Sequence, residues 1–391
     1  GAKGDIQHNS GEWLTLTIDS QRTNSRNIGL MAQEICRWGI LGTAFIAKKN
    51  WKSIWNCDNA TLVAVASRSE QRAAEYISEN QAQAPFDPAP EAVGSYEALL
   101  ARDDIDAVYI PLPTGIRKEW VIKAAEAGKH VMGEKPCGDT LADVQEILTA
   151  CEANNVQYMD GVMFMHSDRL PAIRKTIDTG SIGDLRRITT QFSFFAPDDF
   201  KEGNIRVSSS LESMGCLGDL GWYNIRFTLF AMQYALPERV TGRLLTEFGR
   251  GDSPNPVPVE FSGEMFWPNG VSASFYCSFV TEHQQWAHVS GTKGYVRVDD
   301  FVLPYRGSDS GFDVASHSFE IQGCDFDMRN GSRHVPVPEF SNGRPGAQET
   351  KLFRNFSDLV ISGTRDPFWP EVSLKTQQVL NACLESARNN S

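Results

Sequence analysis

A glycine turn and two arginines carry the first chemical signal. Gly42-Thr43-Ala44-Phe45-Ile46-Ala47 follows a short apolar run, in the place where a dinucleotide-binding turn reads G-x-G-x-x-G, with alanines at the second and third glycines. The chemistry requires a tight turn that lets main-chain N–H groups and a helix N-terminus face a pyrophosphate, and Gly42 with two small alanines permits that approach. A plain strand-to-helix turn would satisfy the same run, so the motif alone leaves both readings open. After the second apolar run stand Ser67, Arg68 and, one helical turn on, Arg72, where an NAD-preferring site usually carries an acid for the ribose 2′-OH. Guanidiniums suit a 2′-phosphate, because charge-assisted bonds are roughly twice as strong as neutral ones. NADP is the expected cofactor, with NAD as the alternative; solvated surface charges are the bland reading of the arginines.

Two further segments end apolar runs on what would be the ligand side of a sheet. They are Val108-Tyr109-Ile110-Pro111-Leu112-Pro113-Thr114 and Gly133-Glu134-Lys135-Pro136. Two strand ends then meet one crevice, which adds Pro111, Leu112, Thr114, Glu134 and Lys135 to the expected cofactor contacts alongside Gly42, Thr43, Ala44, Phe45 and Ile46.

The elements that must position these residues follow from apolar periodicity. Runs at Cys36–Leu41, Ala60–Ala66, Ile105–Pro111, His130–Gly133 and Tyr158–Val162 alternate with helical patterns, the last of them starting at an Asp139 cap and running to Ala153. Near-continuous apolar strands alternating with amphipathic helices predict a parallel sheet covered on both faces. The fold class is therefore α/β, a doubly wound Rossmann domain over 37–160. From about 161 to 391 the texture changes to alternating strands (Arg186–Phe195, Arg239–Phe248, Val259–Trp267, Val271–Phe279, Trp286–Ser290, Tyr295–Val298) with turns such as Pro268-Asn269-Gly270. That predicts an α+β domain with a large open antiparallel sheet. Its C-terminal helices, Glu349–Ser362 and Val372–Arg388, are free to pack back on the first domain. Residues 1–36 are polar and aperiodic, and read as a tail or arm outside the core.

Composition bounds the function. The 391 residues are 41% apolar and 22% charged, ordinary for a globular chain, with 37 Lys plus Arg against 49 Asp plus Glu and a net charge of −12. That balance argues against a broad footprint for nucleic acid or anionic lipid and is compatible with a local basic pocket for one phosphate. No stretch reaches the ~18 apolar residues of a membrane span, and a cytoplasmic location is expected, a removed export signal being compatible. The eight cysteines and seven histidines are scattered without metal-ligand spacing, so no metal is expected and the thiols are read as free and mostly buried.

Four motifs in order resemble the glucose-fructose oxidoreductase, inositol dehydrogenase and rhizopine catabolism (Gfo/Idh/MocA) family, from about Arg37 to the C-terminus. They are G-K-H-V-x-x-E-K-P at 128–136, I-x-T-G-x-I-G-D-L at 177–185, D-x-G-x-Y at 219–223 and G-T-K-G at 291–294. The resemblance implies hydride transfer, with Lys135 near the nicotinamide and the reacting hydroxyl, Tyr223 as proton donor or acceptor and Asp219 as an orienting carboxylate. Tyrosine at 223 places the chain nearest the aldose and dihydrodiol dehydrogenase subgroup. It further implies a cis Lys135–Pro136 peptide and subunit contact through the open sheet face, hence a homodimer or homotetramer. Aromatic residues on both parities of the sheet strands agree with a covered face.

The chemistry fits these roles. Oxidising a hydroxyl needs a base within hydrogen-bond reach, and a phenol of pKa about 10 is too protonated to serve unaided. A nearby lysine cation lowers the phenol, and burial lowers the lysine, so Lys135 and Tyr223 are expected to share the proton. The sequence departs from the family at Arg117, where many members carry histidine, and at Phe164-Met165, where sugar dehydrogenases often carry Tyr-Arg. Two polar substrate contacts are thereby expected to be replaced. The leading expectation is an NADP(H)-dependent oxidoreductase of a sugar, polyol or related diol or carbonyl substrate. Its alternatives are a glucose-fructose-type enzyme that retains its cofactor, whose N-terminal arm residues 1–36 would match, and a non-catalytic NAD(P)-binding regulator.

Overall fold

In the computed structural model, which describes residues 34–389, the apolar runs of the sequence become buried strands, and a three-residue, partly exposed strand joins them at the sheet edge. They are β1 (Cys36–Leu41), β2 (Ala60–Ala66), β3 (Glu91–Val93), β4 (Ala107–Ile110), β5 (His130–Gly133) and β6 (Tyr158–Asp160). All pair in parallel in the order β3-β2-β1-β4-β5-β6. Strand order reverses between β1 and β4, and the crevice beyond the carboxyl ends of these strands is where such sheets take ligands. The connecting helices are α1 (Phe45–Trp55), α2 (Glu70–Gln81), α3 (Tyr96–Leu100), α4 (Thr114–Glu126) and α5 (Leu141–Ala153). The cap of α5 is Thr140, not Asp139 as expected: its hydroxyl accepts from Asp143 N while the Asp143 carboxylate accepts from Thr140 N. Asp139 instead accepts from Ser213 Oγ at 2.7 Å.

The rest of the chain opens with α6 (Arg169–Asp178), β7 (Leu185–Phe195), the single-turn α7 (Phe200–Gly203) and α8 (Trp222–Ala231), the last entered through a π-type turn at Leu217–Gly221. β8 (Arg239–Phe248), β9 (Val257–Phe266), β10 (Ser272–Ser278), β11 (Val280–Gly291) and β12 (Tyr295–Val298) follow. A long hairpin then supplies β13 (Phe312–Ala315), β14 (Ser318–Gln322), β15 (Asp325–Arg329) and β16 (Ser332–Val335). The eight-stranded sheet runs β16-β13-β12-β11-β7-β10-β9-β8. It is antiparallel except that β10 lies parallel to β7. Ile188, Phe261, Phe275, Ala287 and Val289 point inward and are buried, whereas the half-buried Arg187, Tyr276, Trp286 and Tyr295 and the exposed Glu264 form the outer face. The tip ribbon β14–β15 leaves Phe319, Ile321, Phe326 and Met328 exposed.

Two final helices, α9 (Gln348–Ser362) and α10 (Phe368–Arg388), return to the first sheet. Trp38 of β1 donates to Ser357 Oγ at 3.0 Å and packs edge-on against Phe353, which seals one sheet face with α9. All eight thiols are free; six are buried, Cys57 is half-buried and Cys324 is exposed. No described helix is long and apolar enough to cross a membrane. The expected tail or arm lies almost wholly outside the described residues.

Candidate active site

The cofactor side of the crevice starts at the β1 carboxyl end. Gly42 has φ of +110°, and a Cβ there would meet Leu112 Cδ2 at 3.0 Å, so the turn admits glycine alone. Ala44 is the N-cap of α1; no side chain caps it and no acid lies in the first turn, which leaves the amide groups facing outward as an anion site requires. Phe45, 86% exposed, and Ile46 border that end. Arg72 Nε donates to Thr43 Oγ1 at 3.1 Å, joining the start of α2 to the glycine turn. Arg68 is exposed beside it, and Ser67 is buried with its N–H on Val93 O. Both guanidiniums act on Tyr96, a residue the sequence did not mark: burial raises its phenol and the two cations oppose that rise.

Other expected cofactor contacts are already committed within the protein. The Thr114 amide and hydroxyl donate to the two Glu212 oxygens at 3.0 and 2.7 Å. Pro111 and Leu112 are buried, with Leu112 beneath the glycine turn. Glu134 accepts from the Tyr109 hydroxyl and from Lys135 N.

Lys135, Asp219 and Tyr223 do come together. The Lys135–Pro136 peptide is cis. Lys135 Nζ donates to Asp219 Oδ1 and to Asp219 O, both at 2.7 Å, and lies 4.8 Å from the Tyr223 ring centroid. Arg206 Nε donates to the other carboxylate oxygen at 2.8 Å. Burial alone would raise Asp219, but Arg206 and Lys135 hold it down at about 2. Tyr223 moves opposite to the sequence expectation: burial, with the nearby Glu134 and Asp219 charges, pushes its phenol well above the usual value. The lysine cation is spent on the carboxylate rather than on the phenol. Among the described residues the Tyr223 hydroxyl has only a weak hydrogen-bond contact, to Met163 Sδ at 3.9 Å.

The helix carrying Tyr223 is held from below by a buried ion pair. Asp160, at the end of β6, receives Arg226 Nη2 at 2.7 Å, Trp222 Nε1 at 3.0 Å and Ser373 Oγ at 2.9 Å, while Arg226 Nε reaches Thr376 Oγ1. Strand β6, α8 and α10 thereby share one polar centre.

Two stretches of this scaffold match known family descriptions. Residues 36–162 match "Oxidoreductase family, NAD-binding Rossmann fold", and residues 171–297 match "GFO/IDH/MocA C-terminal domain". The chain belongs to the Gfo/Idh/MocA oxidoreductases. Among its relatives is a dTDP-3,4-didehydro-2,6-dideoxy-alpha-D-glucose 3-reductase of Saccharopolyspora spinosa, 31% identical over 68% of this chain and 76% of the relative. Another is a D-xylose 1-dehydrogenase (NADP(+)) of Haloferax volcanii, 32% identical over 66% and 74%. The fold is shared with a 3-ketoreductase from Actinomadura kijaniata solved with NADP and TDP-benzene, at TM-score 0.74 and 23% identity over 90% of this chain and 98% of that one.

Within this family the chain's departures take structural form. Phe164 is buried, with 6.2 Å between its ring centroid and that of Tyr223, and Met165 meets the Tyr234 hydroxyl through sulfur. Arg117 is buried under the strand-end loops. Arg206, Glu212 and Met163 were missed by sequence reasoning; the irregular segment between β7 and α8 offers no periodic signal that would have found the first two.

Proposed function

We propose that this Gfo/Idh/MocA chain is an NADP(H)-dependent oxidoreductase of sugar-type hydroxyl or carbonyl groups, with Tyr223 as the proton donor in carbonyl reduction. The observation that carries the reading is the Lys135–Asp219–Tyr223 cluster in the crevice of a sheet whose first helix begins uncapped at Ala44, just after the Gly42 turn. The names of the relatives, a dTDP-sugar reductase and an NADP-dependent xylose dehydrogenase, support a sugar-related substrate.

The uncapped start of α1, the Gly42 turn and the Arg68–Arg72 pair fit a dinucleotide with a 2′-phosphate, and Thr43, Ala44, Phe45 and Ile46 would border its pyrophosphate. When bound, the nicotinamide supplies or accepts the hydride. The chain's own residues manage the oxygen. Lys135 Nζ has three donors and uses two on Asp219, which leaves one for the reacting oxygen. Asp219 stays ionised and fixes the ammonium. Tyr223, held protonated by burial, has a hydroxyl proton to give to an oxygen that gains charge as the carbonyl is reduced. Donation leaves a Tyr223 phenolate that these surroundings disfavour and that water must reprotonate for the next turnover; in the oxidative direction Tyr223 must first lose its proton before it can accept one from the substrate.

We further propose a homodimer or homotetramer through the outer face of the large sheet, where Tyr276, Trp286 and Tyr295 are half-buried among charged residues. Titration calorimetry with NADP and NAD, followed by a panel of aldoses, polyols and keto-sugars, tests the functional reading. Tighter NADP binding and turnover of a panel member are expected; equal affinity for NAD removes the assigned role of Arg68 and Arg72.

A further inference from the structure

Arg117, the fourth residue of α4, is 2% exposed, and among the described residues all its hydrogen bonds go to main-chain carbonyls. Nε and Nη2 reach Leu112 O at 2.9 and 2.6 Å. Nη1 reaches Glu134 O at 2.8 Å and also Pro136 O. Leu112 lies in the loop after β4, under the Gly42 turn; Glu134 and Pro136 are the residues on either side of Lys135. One planar group therefore spans the two loops that form the crevice and grips the lysine's backbone from both sides.

We infer that Arg117 is a positioning residue for Lys135. The lysine is fixed at two ends: Asp219 holds the ammonium, and Arg117 holds the carbonyls of the residues before and after it, Glu134 and Pro136. Guanidinium is the side chain suited to this task, since its donors lie in one rigid plane and four bonds are made here at once. Lysine carries its donors on a flexible stem, glutamine has two, and neutral histidine has one. A cation buried this deeply is costly unless its hydrogen bonds are filled, so a simple tie between loops would more cheaply use neutral donors. Burial raises the carboxyls of Asp139 and Glu212, and both lie near enough to Arg117 for its charge to oppose that rise. Displacing Lys135 by a fraction of an ångström would misplace the donor reserved for the reacting oxygen.

This inference rests on the reading of Lys135 given above, and its test includes a readout that needs no substrate. The full chain and its Arg117→Gln variant are treated with a limiting amine-acylating reagent, and labelling at Lys135 is followed by mass spectrometry with Lys175 on α6 as the internal control. Lys135 should label roughly tenfold faster in the variant, as expected for a locally loosened loop, with Lys175 and the far-ultraviolet circular dichroism unchanged. Arg117→Lys, which keeps the charge but not the plane, is read in the same way if Arg117→Gln does not fold. With a turned-over sugar, kcat should fall roughly 10²-fold with little change in NADPH affinity, and Arg117→Gln should cost no more in a Lys135→Met background. An unchanged Lys135 labelling rate in a folded variant, or additive losses in the double variant, overturns the inference. Absence of turnover by the unmodified chain on every sugar tested would instead count against the functional reading and leave the labelling result standing.

Discussion

The ammonium of Lys135 is 2.7 Å from Asp219 Oδ1, while its approach to Tyr223 is to the ring face, 4.8 Å from the centroid. The pair that shares charge is thus lysine with aspartate, and tyrosine keeps its own proton. Asp219 also pairs with Arg206, whose side chain is 40% exposed, so removing its charge strands chiefly the buried Lys135 ammonium while Arg206 can turn to solvent. Asp219→Asn should lower stability by about 3 kcal/mol or more, measured by urea unfolding. The sign with pH follows from a folded value of about 2, below the ordinary carboxylate value of about 3.9. Its contribution is fully present above pH ~4 and is lost as pH falls through ~2.

Arg68 and Arg72 should divide the cofactor preference unequally. Arg68 is exposed and free to meet a phosphate, so Arg68→Ala should weaken NADP by about tenfold, the worth of one charged hydrogen bond, and leave NAD unchanged. Arg72→Ala also breaks the bond to Thr43 beside the pyrophosphate turn, and should weaken both dinucleotides. Calorimetric titration of each variant separates the two outcomes.

Asp160 and Arg226 are both fully buried, and each satisfies the other along with Trp222, Ser373 and Thr376. Replacing Asp160 by Asn leaves Arg226 charged and unpaired, which costs about 3–5 kcal/mol, whereas replacing both by apolar residues of similar volume should cost far less. Equilibrium unfolding of the single and double variants checks the asymmetry.

His166 is buried, stacks on Trp369 at 4.6 Å and bonds to the Asn355 amide, and burial, aided by the Arg226 charge, drops it to about 3. The unfolded chain binds this proton near pH 6.5 and the folded chain does not. Stability should therefore fall by about 1.4 kcal/mol per pH unit on acidification below ~6, until the folded histidine also protonates near 3. His166→Gln should flatten that slope in unfolding curves taken across the range.

Much of this was legible in the sequence for a physical reason: strands buried on both faces leave unbroken apolar runs. Ala60–Ala66 and His130–Gly133 were read to the residue. β3 has three residues after a proline-rich loop and no alternation to mark it, whereas β14 and β15 do alternate, Phe319 and Ile321 about Glu320 and Phe326 and Met328 about Asp327, a signal that sequence reasoning missed. The parallel pairing of β10 with β7 depends on partners far apart in sequence. Lys135, Asp219 and Tyr223 lay in readable motifs, but the direction of the Tyr223 shift did not, because it depends on which partner Lys135 meets in space. Thr114 looked like a ligand contact from its strand-end position until Glu212, reaching in from a distant segment, claimed both its donors.

The central claim is that Tyr223 gives the proton, and one comparison tests it most directly: initial rates of NADPH oxidation with a carbonyl sugar substrate, for the unmodified chain and for Tyr223→Phe, across neutral pH. Only a hydroxyl is removed, and among the described residues that hydroxyl's one hydrogen-bond contact is a weak one to Met163, so folding and NADPH binding should be retained. The account predicts a kcat loss of roughly 10²–10⁴-fold at every pH in that range. A Tyr223→Phe variant that turns over at nearly the rate of the unmodified chain would contradict it.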